Sequence, residues 1–120
     1  WPPITARIAS VSVERDTAIP LGIIVNELLT NAAKHGRRDA LTSVRLEELP
    51  AGGLWLEVAN DRGGFPEATL EGEHGFGLSM VATLAGQYGG ELRLSNHPGP
   101  RISIEMPRAA VATSASSRSA

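Results

Sequence analysis

One segment limits the possible folds more than any other. Leu21, Ile24, Val25, Leu28, Leu29, Ala32 and Ala33 recur at the three- and four-residue spacing of a single helix face. A strand would send these side chains to alternate faces, so only a helix gathers them into one stripe. Asp16 or Thr17 is expected to cap this helix, with Pro20 in its first turn or just ahead of its regular part. Gly36 is expected to stop it, and Lys34 and His35 fall in the last turn, where cations are favoured. A helix with one apolar face requires another layer to cover that face.

The rest of the chain offers that layer. Residues 4–13 alternate loosely (Ile4, Ala6, Ile8, Val11, Val13) and read as a strand. Residues 42–49 and 54–60 read as a half-buried antiparallel hairpin across the turn Pro50-Ala51-Gly52-Gly53. A Gly- and acid-rich loop is predicted over 61–75. A second helix follows over 76–88, with Val81, Leu84, Ala85 and Tyr88 on one face and Gly89-Gly90 ending it. Strands over 91–95 and 101–106 complete the order β-α-β-β-loop-α-β-β. This predicts an α/β fold, a two-layer sandwich whose mixed, mostly antiparallel sheet is covered on one face by helices. One domain is expected over 1–107, with 108–120 an Ala/Ser-rich disordered tail.

Composition narrows the function classes. At 120 residues the chain suits one domain, since domains usually run about 100–200 residues. A formal charge of −2 argues against nucleic acid or anionic lipid as partners. The absence of Cys removes thiolate metal sites and thiol chemistry. No apolar run approaches the roughly 18 residues of a membrane span, so no membrane contact and a cytoplasmic location are expected. The chain opens on Trp1 rather than Met, and so reads as a piece of a longer protein. Neither GxGxxG after a strand nor GxxxxGK[ST] occurs, so any nucleotide is held by another device.

The candidate device is the polar side of the first helix. Asn26, Glu27, Thr30, Asn31 and Lys34 lie opposite the apolar stripe, with Glu27 and Asn31 four apart and Asn31 and Lys34 three apart. A carboxylate, a carboxamide and an ammonium at that spacing suit a hydrated Mg²⁺ carrying a polyphosphate. The same spacing also suits a plain solvated helix face.

The stretch from Leu21 to Gly36, with Asn26-Glu27-Leu28-Leu29-Thr30-Asn31-Ala32-Ala33-Lys34-His35 at its centre, resembles the N box of the GHKL ATP-binding superfamily. Within that group it is most similar to catalytic domains of bacterial sensor histidine kinases of the HWE type and their near relatives. Gly75-Phe76-Gly77-Leu78-Ser79-Met80-Val81, leading to Gly89-Gly90-Glu91, is similar to the family's G2 box and the strand after it. The resemblance covers about residues 4 to 107 and implies a Bergerat-type fold with ATP and Mg²⁺ as ligands. Carried over by position, Asn31 and Glu27 would serve the metal, with Glu27 also orienting or deprotonating the attacking group. Lys34 would meet phosphate. His35 matches the N-box histidine of the HWE group, and a helix-end role and a phosphate-site role both stay open for it. Gly75, Phe76, Gly77 and Leu78 would form the phosphate-facing start of the second helix, the glycines being expected to take positive φ.

The family's G1 box, Asp-x-Gly-x-Gly, is altered here to Asn60-Asp61-Arg62-Gly63-Gly64. With one residue deleted, Asp61 accepts the adenine amino group and Gly63 and Gly64 supply the turn. Without a gap, Asn60 stands at the acid's position. The first register is preferred. The Gly-Thr that many relatives carry before the last strand is replaced around Pro100 and Arg101.

The resemblance implies a two-component histidine kinase catalytic domain that transfers the γ-phosphate to a histidine on a separate helical dimerisation domain, in the part of the protein ahead of Trp1. A response regulator is the implied partner and a homodimer the implied parent. Two alternatives share the pattern: a docking domain of a phosphotransfer protein that has lost ATP, and an anti-sigma-factor serine kinase.

Overall fold

A computed structural model of the chain describes residues 4–8 and 12–109. The elements run β1 (Ile4–Ile8), α1 (Arg15–His35), β2 (Thr42–Glu48), β3 (Leu54–Asn60), α2 (Glu67–Leu70), α3 (Phe76–Gly86), β4 (Glu91–Asn96) and β5 (Pro100–Met106). The sheet order is β1-β2-β3-β5-β4, with β1 parallel to β2 and every other pair antiparallel. The mixed, mostly antiparallel sheet expected from the element order is therefore present. Of the first predicted strand, residues 9–11 lie outside the described residues, as does 110–120 of the predicted tail. Arg108 and Ala109 still belong to the packed structure, for Ala109 is buried and the Arg108 N–H donates to Tyr88 O at 3.0 Å.

The long helix seats itself on Ile24, Leu28 and Ala32, all at 0% exposure and spaced four apart. They meet Leu56, Val58, Ile102 and Ile104 from the inner face of β3 and β5, and Leu78, Val81 and Ala85 of α3 close the same core. Leu21, Val25 and Leu29 flank this line and are only partly buried. The apolar stripe is thus wider than the part the sheet covers.

Three sequence expectations are corrected. The helix starts two residues early, capped by Glu14 through its backbone: Thr17 and Ala18 N–H donate to Glu14 O, while Thr17 is itself buried. Pro20 consequently sits inside the helix, in its second turn, and removes the N–H that would bond Asp16 O. The Tyr88 hydroxyl donates to that orphaned carbonyl at 3.4 Å. The third correction concerns β3, which is a central strand buried over nearly its whole length rather than half-buried. Its outward Glu57 is covered because Arg101 of β5 reaches over to donate to it at 3.2 Å.

Candidate functional site

The polar side of α1 faces the start of α3 across a cleft of about 280 Å³. Glu27, Thr30, Asn31, Lys34 and His35 form one wall, Gly75, Phe76, Gly77 and Leu78 the other, and Thr69 of α2 closes one edge. Asn26, expected on the same face, instead lines an apolar groove with Leu21, Val25 and Leu29. The reason is angular: one residue before Glu27 is 100° around the helix, enough to leave the cleft.

The Asn31 side chain is oriented by its own helix. Its Nδ2 donates to Glu27 O at 2.8 Å, which leaves Oδ1 as the free end of the carboxamide. Glu27 projects toward α3, and a Cβ added to Gly77 would stand 2.5 Å from its Oε2. Gly77 thus lets the Glu27 carboxylate lie close against the start of α3, and a larger residue there would displace that side-chain end. Neither Gly75 nor Gly77 has a positive φ, contrary to expectation. Gly75 caps α3 in extended conformation with no side-chain cap, so the first N–H groups of α3 are free for an anion. Lys34 is exposed and makes no ion pair among the described residues.

His35 is half-buried against Phe65, ring centroids 4.9 Å apart at 49°. Burial first, and the neighbouring Lys34 charge second, hold its imidazole below the ordinary value of 6.5. The native state thus binds fewer protons here than the unfolded chain does. This contribution to stability is complete above about pH 6.5 and is lost as pH falls through the lowered native value. The melting-temperature gap between the wild type and His35→Gln is expected to narrow from pH 7.5 to 5. A gap independent of pH would contradict this.

The G1 region is organised around a residue other than the preferred one. Asp61 is exposed and stands outside the cleft lining, its N–H donating to Leu41 O. Asn60 is 0% exposed and makes four hydrogen bonds. Its Oδ1 accepts from Arg37 N–H (3.2 Å) and Arg62 N–H (3.0 Å), and its Nδ2 donates to Arg37 O (3.2 Å) and Thr42 Oγ1 (3.0 Å). A sequence signal for this was available: the alternation Leu54, Leu56, Val58 continues to Asn60 and turns it inward, opposite Thr42. Gly63 does turn the chain, at φ +87°, so that its backbone pairs with Gly36. Gly64 N–H donates to His35 O at 3.0 Å. Asn96 clamps the next residue, accepting from Phe65 N–H at 2.8 Å and donating to Phe65 O at 3.0 Å. Neither Asn96 nor Thr69 was identifiable from local sequence, because their partners are brought in from other elements.

The family model described as histidine kinase-, DNA gyrase B- and HSP90-like ATPase matches residues 16–110. The chain belongs to this family. In this GHKL ATPase fold, the segments that resemble the N box and the G2 box stand on opposite walls of the cleft between α1 and α3. Among solved structures, the blue-light activated histidine kinase EL346 of Erythrobacter litoralis is similar at 27% identity and a TM-score of 0.79, covering 88% of this chain and 35% of that one. Its histidine kinase domain aligns at the same identity with a TM-score of 0.78, and 51% of that chain is covered. The mycobacterial sensor histidine kinase MprB shares the fold at 24% identity and a TM-score of 0.71, covering 90% of this chain and 83% of that one. The chain thus spans about a third of the first and half of the second. Comparison with curated proteins finds no match. No helix among the described residues is long and apolar enough to cross a membrane.

Proposed function

We propose that this chain is the ATP-binding catalytic domain of a two-component sensor histidine kinase. It holds Mg²⁺-ATP against α1 and presents the γ-phosphate to a histidine imidazole on a separate dimerisation domain, with a response regulator as the next acceptor. The observation that carries this reading is the cleft itself, where one helix's carboxylate, carboxamide and ammonium face the uncapped start of another helix. The residues fit the ligand. Glu27 and the free Oδ1 of Asn31 offer the one or two protein oxygens that Mg²⁺ takes when phosphate and water complete its shell. When bound, the metal would neutralise phosphate charge.

The chain's own residues account for the remaining chemistry. Lys34 and the α3 N–H groups attract the phosphates, and the transfer rests chiefly on positioning and charge neutralisation. In the transfer an imidazole nitrogen bonds to the γ-phosphorus as the bond to the β–γ bridging oxygen breaks, ADP leaving with that electron pair. Glu27 is the carboxylate in the cleft that can accept the imidazole proton or orient the ring. The packed G1 region favours a second reading, a docking domain that has given up ATP, because Asn60 fills its own hydrogen-bonding capacity internally.

Calorimetric titration with Mg²⁺-ATP separates the two. Binding that weakens at least tenfold in Asn31→Ala, about 1.4 kcal/mol, is the expected result. No heat up to millimolar nucleotide would leave the docking domain as the correct reading.

A further inference from the structure

The two ends of this site differ in kind. Toward α3 it is lined by groups that meet phosphate and metal. Toward the exit of β3, backbone fills the space. Gly36 and Gly63 pair directly, and a Cβ on Gly36 would lie 2.5 Å from both Ala32 O and Asn60 Cγ. Gly99 packs equally tightly on the same exit, where a Cβ would stand 2.7 Å from Arg62 N.

Recognition of a purine by its edge needs an unengaged acceptor for the adenine amino group, or a donor for the guanine keto oxygen. Asn60 has neither. Both acceptor positions of Oδ1 are taken by Arg37 and Arg62 N–H, and both Nδ2 hydrogens go to Arg37 O and Thr42 Oγ1. Asp61, the other candidate, is in solvent and off the cleft. Phe76, 88% exposed on the cleft wall, offers a ring face on which either purine can stack. Strong discrimination comes from buried polar groups left unpaired by the wrong ligand, and here those groups are already paired by protein.

Resting on the triphosphate reading above, we infer that the cleft selects the magnesium-bound triphosphate group and does not distinguish adenine from guanine. The test titrates the 120-residue chain by calorimetry with the Mg²⁺ complexes of ATP, GTP and inorganic triphosphate, and repeats the two nucleotides on Asp61→Ala. Dissociation constants for ATP and GTP within fivefold of one another are expected, in both the wild type and Asp61→Ala, with inorganic triphosphate displacing either nucleotide. A larger preference for one purine, an ATP-only loss above fivefold in Asp61→Ala, or failure of inorganic triphosphate to displace ATP overturns this inference alone. Absence of binding by all three overturns the triphosphate reading with it.

Discussion

Asn60→Ala is expected to lower the unfolding free energy by about 3 kcal/mol, the sum of unpaired buried groups and a small cavity. The residue is fully enclosed, and its removal leaves the Arg37 and Arg62 N–H groups and the Thr42 hydroxyl without their partner. For a domain of this size that corresponds to a fall in melting temperature of roughly 10–15 °C. Asn60→Asp also destabilises, since a carboxylate keeps the two acceptances but loses both donations and buries a charge. Asp61→Ala, one residue away and exposed, should change stability by no more than about 0.5 kcal/mol. Urea midpoints for the three variants decide the matter: equal effects at 60 and 61 would show that the Asn60 clamp contributes little.

Lys34→Glu is expected to weaken Mg²⁺-ATP binding thirty- to a hundredfold, about 2–3 kcal/mol, by removing a charge-assisted contact and adding repulsion. The exposed position makes this effect screenable, so the ratio between wild type and variant should shrink as salt rises from 50 mM to 0.5 M, where the Debye length falls from about 14 to 4 Å. Folding should be little altered, because the substitution costs only about 0.3–1 kcal/mol against the helix dipole. Unchanged affinity in a folded Lys34→Glu protein would remove phosphate from this side of α1.

Local regularity made much of this legible in advance. The spacing of Ile24, Leu28 and Ala32 identified α1 and its buried line, because a helix face is a property of consecutive residues. The Gly36 stop was visible too, but its cause was not: the Cβ it lacks would collide with Asn60, 24 positions away. Likewise Pro20 looked like a first-turn residue, and only the hydroxyl of Tyr88, 72 positions beyond Asp16, explains how an interior proline is accommodated. The G1 register is the sharpest instance. Asp61 is the better adenine acceptor on chemistry alone, whereas pairing Thr42 with Asn60 across β2 and β3 turns Asn60 inward and leaves Asp61 in solvent.

The sequence by itself determined every element but the short α2, which lies within the predicted loop, together with their order, the family resemblance and the polar face of Glu27, Asn31 and Lys34, since these follow from short-range periodicity and spacing. Tertiary structure alone decided that Asn26 does not share that face, that Thr69 reaches the edge, and that backbone and Asn60 fill the far end. Those outcomes depend on how distant segments compete for the same volume and the same hydrogen-bond donors, and no local pattern encodes that competition.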